Sequence, residues 1–179
     1  LVPTMTATDA LEVVERELIV AGPGAESRLR DQLKRVHDDY DLALIDTRPS
    51  LGLLTTNALV ASDQVLIVTI PDLFSLDGIT KLVTTIDAVR RYYRADLRIG
   101  GVLINHREQA TTLTSTHWSI KLRNSGLPVL NPDIPKHTWI GAAAQRGEGL
   151  DELHTRGREV AAIYDRHLIT LMHGTTPSR

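Results

Sequence analysis

Two polar residues stand at the ends of apolar runs, where layered folds commonly place their chemistry. Asp46 follows Leu42-Ala43-Leu44-Ile45, and Asn105 follows Gly101-Val102-Leu103-Ile104. Four apolar residues put the Asp46 carboxylate at the exit of a buried strand. There it can reach magnesium, or water bound to magnesium, beside a nucleotide's phosphates. Asp also opens turns and caps helices, so the local pattern leaves both readings open. Asn105 carries an amide that donates and accepts at once, and it equally suits a chain turning after a strand. Basic residues gather as Arg90, Arg91, Arg94 and Arg98, and more loosely as Lys121, Arg123, Lys136 and Arg146. Such charges can meet nucleic-acid phosphates in salt-dependent binding or remain solvated, and a helix end accounts for the Arg90 group.

Other chemistries find little support. The seven histidines show neither His-x-x-x-His nor His-Glu-x-x-His spacing, and no Gly-x-Ser-x-Gly elbow accompanies the serines. The chain has no cysteine, which excludes disulfides, thiolate zinc sites and iron–sulfur clusters and is compatible with a reducing cytosol. A net charge of −2 gives no global pull on nucleic acid, so DNA contact would need a local basic patch. No apolar run reaches the roughly 20 residues of a membrane span, and the start lacks a signal-peptide pattern, which points to a cytoplasmic protein.

These residues must be held by a framework. The runs Leu42–Asp46, Val65–Ile70 and Ile99–Ile104 read as buried parallel strands, because they are rich in Val, Ile and Leu without polar alternation. Ser75–Arg94 reads as a helix, with Leu76, Ile79, Leu82, Val83, Ile86 and Val89 at three-and-four spacing. Asp9–Val20 and Glu26–His37 read as helices parted by Ala21-Gly22-Pro23-Gly24, and Thr112–Asn124 and Asp151–Met172 as two more, with a short strand at Leu127–Leu130. The expectation is one α/β domain over residues 1–173, a mostly parallel sheet with helices on both faces, and a frayed tail at 174–179. A composition of 42% hydrophobic and 23% charged residues agrees with a folded chain.

The motifs in order resemble a known family. Tyr40-Asp41, four apolar residues, Asp46-Thr47-Arg48-Pro49-Ser50-Leu51-Gly52-Leu53-Leu54-Thr55 and Asn57-Ala58-Leu59 are similar to the second nucleotide motif of the ParA/Soj partition ATPases, of the deviant Walker P-loop class. Ala61–Val68, Phe74–Ile79, Gly101–Asn105 and Asp133-Ile134-Pro135-Lys136 resemble that family's later segments, and Leu1-Val2-Pro3 with Glu17-Leu18 its earlier ones. The resemblance implies a P-loop NTPase-like fold that uses ATP and Mg2+. It implies that Asp46 holds magnesium through water, and that Thr47–Thr55, with Thr47 and Pro49, senses the γ-phosphate. It also implies that Asn105 and Pro135 border the adenine. The implied partners are a second copy of the chain, a ParB-like centromere-binding protein, and DNA bound without sequence preference, for which Lys121, Arg123, Lys136 and Arg146 are the candidates. No membrane is implied, and the location is cytoplasmic, on the nucleoid. A MinD-like positioning ATPase and a non-enzymatic binding module are the alternatives.

Two departures qualify this. Arg48-Pro49 stands where the family usually has Pro-Pro, and Lys136 stands where it has Arg, which keeps the charge but loses the planar fork. None of the 12 glycines precedes a lysine, so the phosphate-cradling loop is expected upstream of Leu1. The chain as it stands is expected to lack activity and not to begin at a natural start.

Overall fold

The computed structural model describes residues 10–48, 50, 52–72, 75–108, 113–153 and 155–173. Its elements run α1 (Ala10–Val20), α2 (Arg28–Leu33), α3 (Leu53–Ala61), β1 (Gln64–Thr69), α4 (Ser75–Tyr92), β2 (Arg98–Ile104), α5 (Leu113–Arg123), α6 (Thr138–Arg146) and α7 (Thr155–His173). This is a mixed α/β fold with parallel strand pairing. Contacts group the chain into two compact units. One takes the chain up to Asp63 together with Leu82–Leu97, and the other takes Gln64–Lys81 and the chain from Arg98 onward.

In the first unit, α3 is apolar on every side and is accordingly buried, with Thr55, Asn57, Ala58, Leu59 and Val60 inside. It ends at Ser62, whose hydroxyl donates to the Ala58 carbonyl at 2.7 Å. The expected Glu26–His37 helix is broken into a 3-10 turn at Ala25–Ser27, the short α2, and a second turn at His37–Asp39. α2 buries no residue, and a helix with no buried stripe gains too little to propagate. The expected buried strand at Leu42–Asp46 is also corrected. The segment has no strand partner among the described residues, and Leu42 and Leu44 are 48% and 85% exposed. Its apolar pattern suits a strand covered on both faces, but a strand forms only against a neighbouring one, and none pairs with it among the described residues.

In the second unit, β1 and β2 pair in parallel, with Gln64 opposite Arg98 and Thr69 opposite Ile104, and an irregularity between Val65 and Leu66. β2 is buried from Gly100 to Ile104, as expected of a covered strand. β1 departs from that expectation: Ile67 and Thr69 are buried, whereas Leu66, Val68 and Ile70 remain exposed. Along its other edge β2 bonds the 128–136 segment: Leu130 N–H donates to Val102 O at 2.9 Å and Ile134 N–H to Ile104 O at 2.8 Å. This segment forms isolated bridges at Val129 and Pro135, so the expected Leu127–Leu130 strand is corrected to a bridge. Pro128, Pro132 and Pro135 each lack an N–H, and a ladder cannot run through donors missing every three or four residues. Leu103, Leu130 and Ile134 form a buried cluster, with Ile163 of α7 packed against it. Leu130 lies so close to Gly101 that a Cβ there would meet it at 2.8 Å.

Candidate functional site

Asp46, Thr47 and Arg48 lie on an extended, exposed stretch that leads towards α3. Downstream the loop is tied in place: Ser50 N–H donates to Arg48 O at 2.8 Å, and the Thr55 hydroxyl donates to Ser50 O at 2.5 Å. Gly52 is the N-cap of α3, so Asp46, six residues earlier, does not cap that helix. Its carboxylate has no hydrogen-bond partner among the described residues, which leaves both oxygens available. No group of three His, Cys, Asp or Glu could hold a metal among the described residues. Pro49 lies outside the described residues, as does Phe74.

Asn105 sits half-buried at the end of β2, held by its N–H to Thr69 O at 2.7 Å. Its Oδ1 accepts the His106 N–H at 2.8 Å, and its Nδ2 group has no partner among the described residues. His106 has φ 54, a left-handed conformation that costs a non-glycine residue about 1–2 kcal/mol. Arg107 follows, and its main chain is pinned twice: its N–H donates to Ile134 O, and its carbonyl accepts Lys136 N–H, both at 2.9 Å. Pro135 lies between those two bonds, so the structure brings together the two residues expected at the adenine, Asn105 and Pro135.

Side chains reinforce this arrangement. Arg107 Nη1 donates to Ser119 Oγ at 2.9 Å and to Asp133 Oδ2 at 3.2 Å, while Arg123 Nη2 donates to Asp133 Oδ1 at 2.6 Å. Lys136 Nζ meets Glu108 Oε1 at 2.8 Å, a bond that holds the Glu108 carboxyl below its usual range. Arg146 pairs through two nitrogens with Glu148, which raises the arginine and lowers the acid. Of the four candidate DNA-binding cations, three are thus spent on carboxylates, and Lys121 alone has no partner among the described residues. Beside Pro135 opens a cavity of about 800 Å³, walled by Glu108, Lys136, Trp139 and Arg156. His137 and Trp139 stack there, with ring centroids 4.9 Å apart and planes at 18°. Reading by motif missed Arg107, Ser119 and Trp139.

Comparison with known proteins follows the same segments. A family model described as "AAA domain" matches residues 3–99, just over half of the chain. The sporulation initiation inhibitor protein Soj of Bacillus subtilis is 36% identical over 165 residues, 87% of this chain and 65% of Soj. The chromosome partitioning protein ParA of Myxococcus xanthus is 44% identical over 98 residues, 55% of this chain and 34% of that protein. The chain thus spans between one third and two thirds of the length of these relatives. Among solved structures, cobyrinic acid a,c-diamide synthase from Mycobacterium smegmatis, with bound ATP analogue and magnesium, superposes with a TM-score of 0.67 at 31% identity. That match covers 79% of this chain and 57% of the synthase.

Proposed function

Because the chain belongs to the ParA/Soj/MinD family of P-loop ATPases, we propose that it serves ATP-dependent DNA partitioning, in plasmid or chromosome segregation. The observation that carries this reading is the Asn105 amide. It stands at a strand end beside Pro135 with Oδ1 anchored on His106 and Nδ2 unspent among the described residues, so it can donate to an acceptor on a purine edge while Oδ1's second lone pair takes an amino proton. Asp46 would hold magnesium through water, and Thr47 to Thr55, including Pro49, would respond to the γ-phosphate. ATP would close a homodimer that binds DNA without sequence preference, with Lys121 and, once their partners yield, Arg123, Lys136 and Arg146 as contacts. A ParB-like partner would stimulate hydrolysis. Magnesium, when bound, supplies charge neutralisation at the phosphates. None of the 12 glycines in these residues precedes a lysine, so the phosphate cradle is not theirs.

The test uses the full-length protein. ATP turnover is measured with and without duplex DNA, and DNA binding is measured across a salt series. The expected result is magnesium-dependent turnover, with nucleotide-dependent DNA binding that weakens steeply as salt rises. A protein that hydrolyses nothing under any condition, yet still binds DNA or a partner, would establish the non-enzymatic module instead.

A further inference from the structure

The nucleotide reading above places the base against two short segments, Asn105–Glu108 leaving β2 and the loop 133–136. The Asp133 side chain joins them beside the main-chain bonds of Arg107, and we propose that it is a positioning residue which fixes the Asn105 amide and so sets the preference for adenine. The inference rests on that nucleotide reading.

Asp133 is largely buried, its side chain 12% exposed, and each of its oxygens takes a different guanidinium, Arg107 on one and Arg123 on the other. Through Ser119 and Arg123 the cluster reaches α5, and through Arg107 it reaches the residues after β2. One carboxylate therefore ties three chain segments. It also stands between two like charges, which would separate if it were removed. His106 makes this matter for the site. A left-handed non-glycine residue persists only where its surroundings over-determine it. Here the constraints are the Asn105 Oδ1 bond on one side and the pinned Arg107 on the other. With Asp133 removed, the Arg107 side chain lets go and only its two main-chain bonds to Ile134 and Lys136 oppose the return of His106 to a right-handed conformation. That turn carries its N–H away from Oδ1 and lets the Asn105 amide rotate. Phosphate contacts are untouched by this, so the consequence falls on the identity of the base.

Equilibrium binding of ATP and GTP to the full-length protein and its Asp133→Asn variant tests the inference, with thermal melting as a check on folding. The charge behind both arginine bonds is lost while the shape is kept, so ATP affinity is expected to fall about tenfold, with GTP affinity unchanged. Asn105→Ala should produce the same loss, and the double variant should lose no more than either single one, as for residues acting through one another. Arg107→Lys keeps the charge but cannot bridge Asp133 and Ser119 together, and it should lose part of the preference. It also serves if Asp133→Asn melts too low to assay. Equal weakening of both nucleotides, or additive losses with Asn105→Ala, would overturn the positioning role and leave Asp133 as scaffold. A wild-type protein that binds ATP and a variant with unchanged preference would sink this inference alone. A wild-type protein that binds neither nucleotide would sink the parent reading with it.

Discussion

Replacing Asn57 by alanine should destabilise the chain by about 2–4 kcal/mol, although the residue is polar and lies in a largely apolar helix. Asn57 is 3% exposed, and all of its hydrogen-bonding groups are engaged. Its Oδ1 accepts the Leu29 N–H at 3.2 Å, and its Nδ2 donates to Ala25 O at 2.9 Å and Leu53 O at 3.1 Å. Leu29 is the second residue of α2, so its N–H is one of the helix's free donors, and Asn57 caps that helix from 28 residues away. Alanine leaves the Leu29 N–H and the Ala25 carbonyl without partners, at about 1–3 kcal/mol each. Leu53 O counts for less, because it belongs to the ladder of α3. Leu29 is only half-buried, and water reaching it holds the sum to the lower part of that range. Urea unfolding reads the effect: at about 2 kcal/mol per molar, the midpoint should fall by roughly 1–2 M with the slope unchanged. Asn57→Asp should be worse than alanine at neutral pH, since it sets a buried charge against two carbonyls, and the gap should close in acid. A midpoint for Asn57→Ala equal to wild type, or an aspartate variant as stable as the alanine one at pH 7, would refute the reasoning.

The remaining predictions concern α7 and α4. His167 is buried with Nε2 2.9 Å from Pro132 O; burial first and Arg166 second depress its pKa below 6.5, against the opposing pull of the Pro132 carbonyl and Asp133. The folded chain therefore holds this proton less tightly than the unfolded one. Its contribution should be complete above pH 6.5 and decline as pH falls from there towards the folded value. His167→Gln, which keeps a donor for Pro132, should flatten that part of a melting-temperature profile, and identical slopes would contradict it. In α7, a Cβ at Gly157 would strike the Leu150 carbonyl and the Leu153 Cβ, whereas in α4 a Cβ at Gly78 meets nothing within 4 Å. Alanine gains about 0.5–1 kcal/mol over glycine in a helix interior. Gly78→Ala should therefore stabilise and Gly157→Ala destabilise, and denaturant midpoints moving in the same direction would show the packing account to be wrong.

What could be read from the residues was what depends on neighbours along the chain. α4 matches the expected Ser75–Arg94 helix to within two residues, and β1 and β2 match their apolar runs, because each carries its period within itself. α3 was not visible as a helix, since a segment apolar on all sides has no period to detect. The Leu42–Asp46 strand failed for the opposite reason: its pattern is clear, but pattern states what a segment can bury, not whether a partner is there. At the candidate site, Asn105 could be placed from its position at the end of β2, whereas Asp46 was named from an apolar run that forms no strand among the described residues, and Pro135 from motif alone. Arg107, Ser119 and Asp133 were not legible, since the cluster joins residues 12 to 26 positions apart and no local spacing encodes it.

The two asparagines separate structural from functional work by a criterion that motifs do not contain. Both belong to segments that resemble family motifs. Asn57 has its acceptor and both amide hydrogens committed to main-chain groups, so it has nothing left to offer a ligand, and its removal should register in stability. Asn105 commits only Oδ1, to the N–H of a strained neighbour, and keeps Nδ2 uncommitted among the described residues. A half-buried amide whose donors hold no protein partner among the described residues takes no hydrogen bond from the fold through them when it is removed. Asn105→Ala should therefore leave the urea midpoint nearly unchanged while Asn57→Ala lowers it, and the reverse order would remove the physical ground for placing a nucleobase at Asn105.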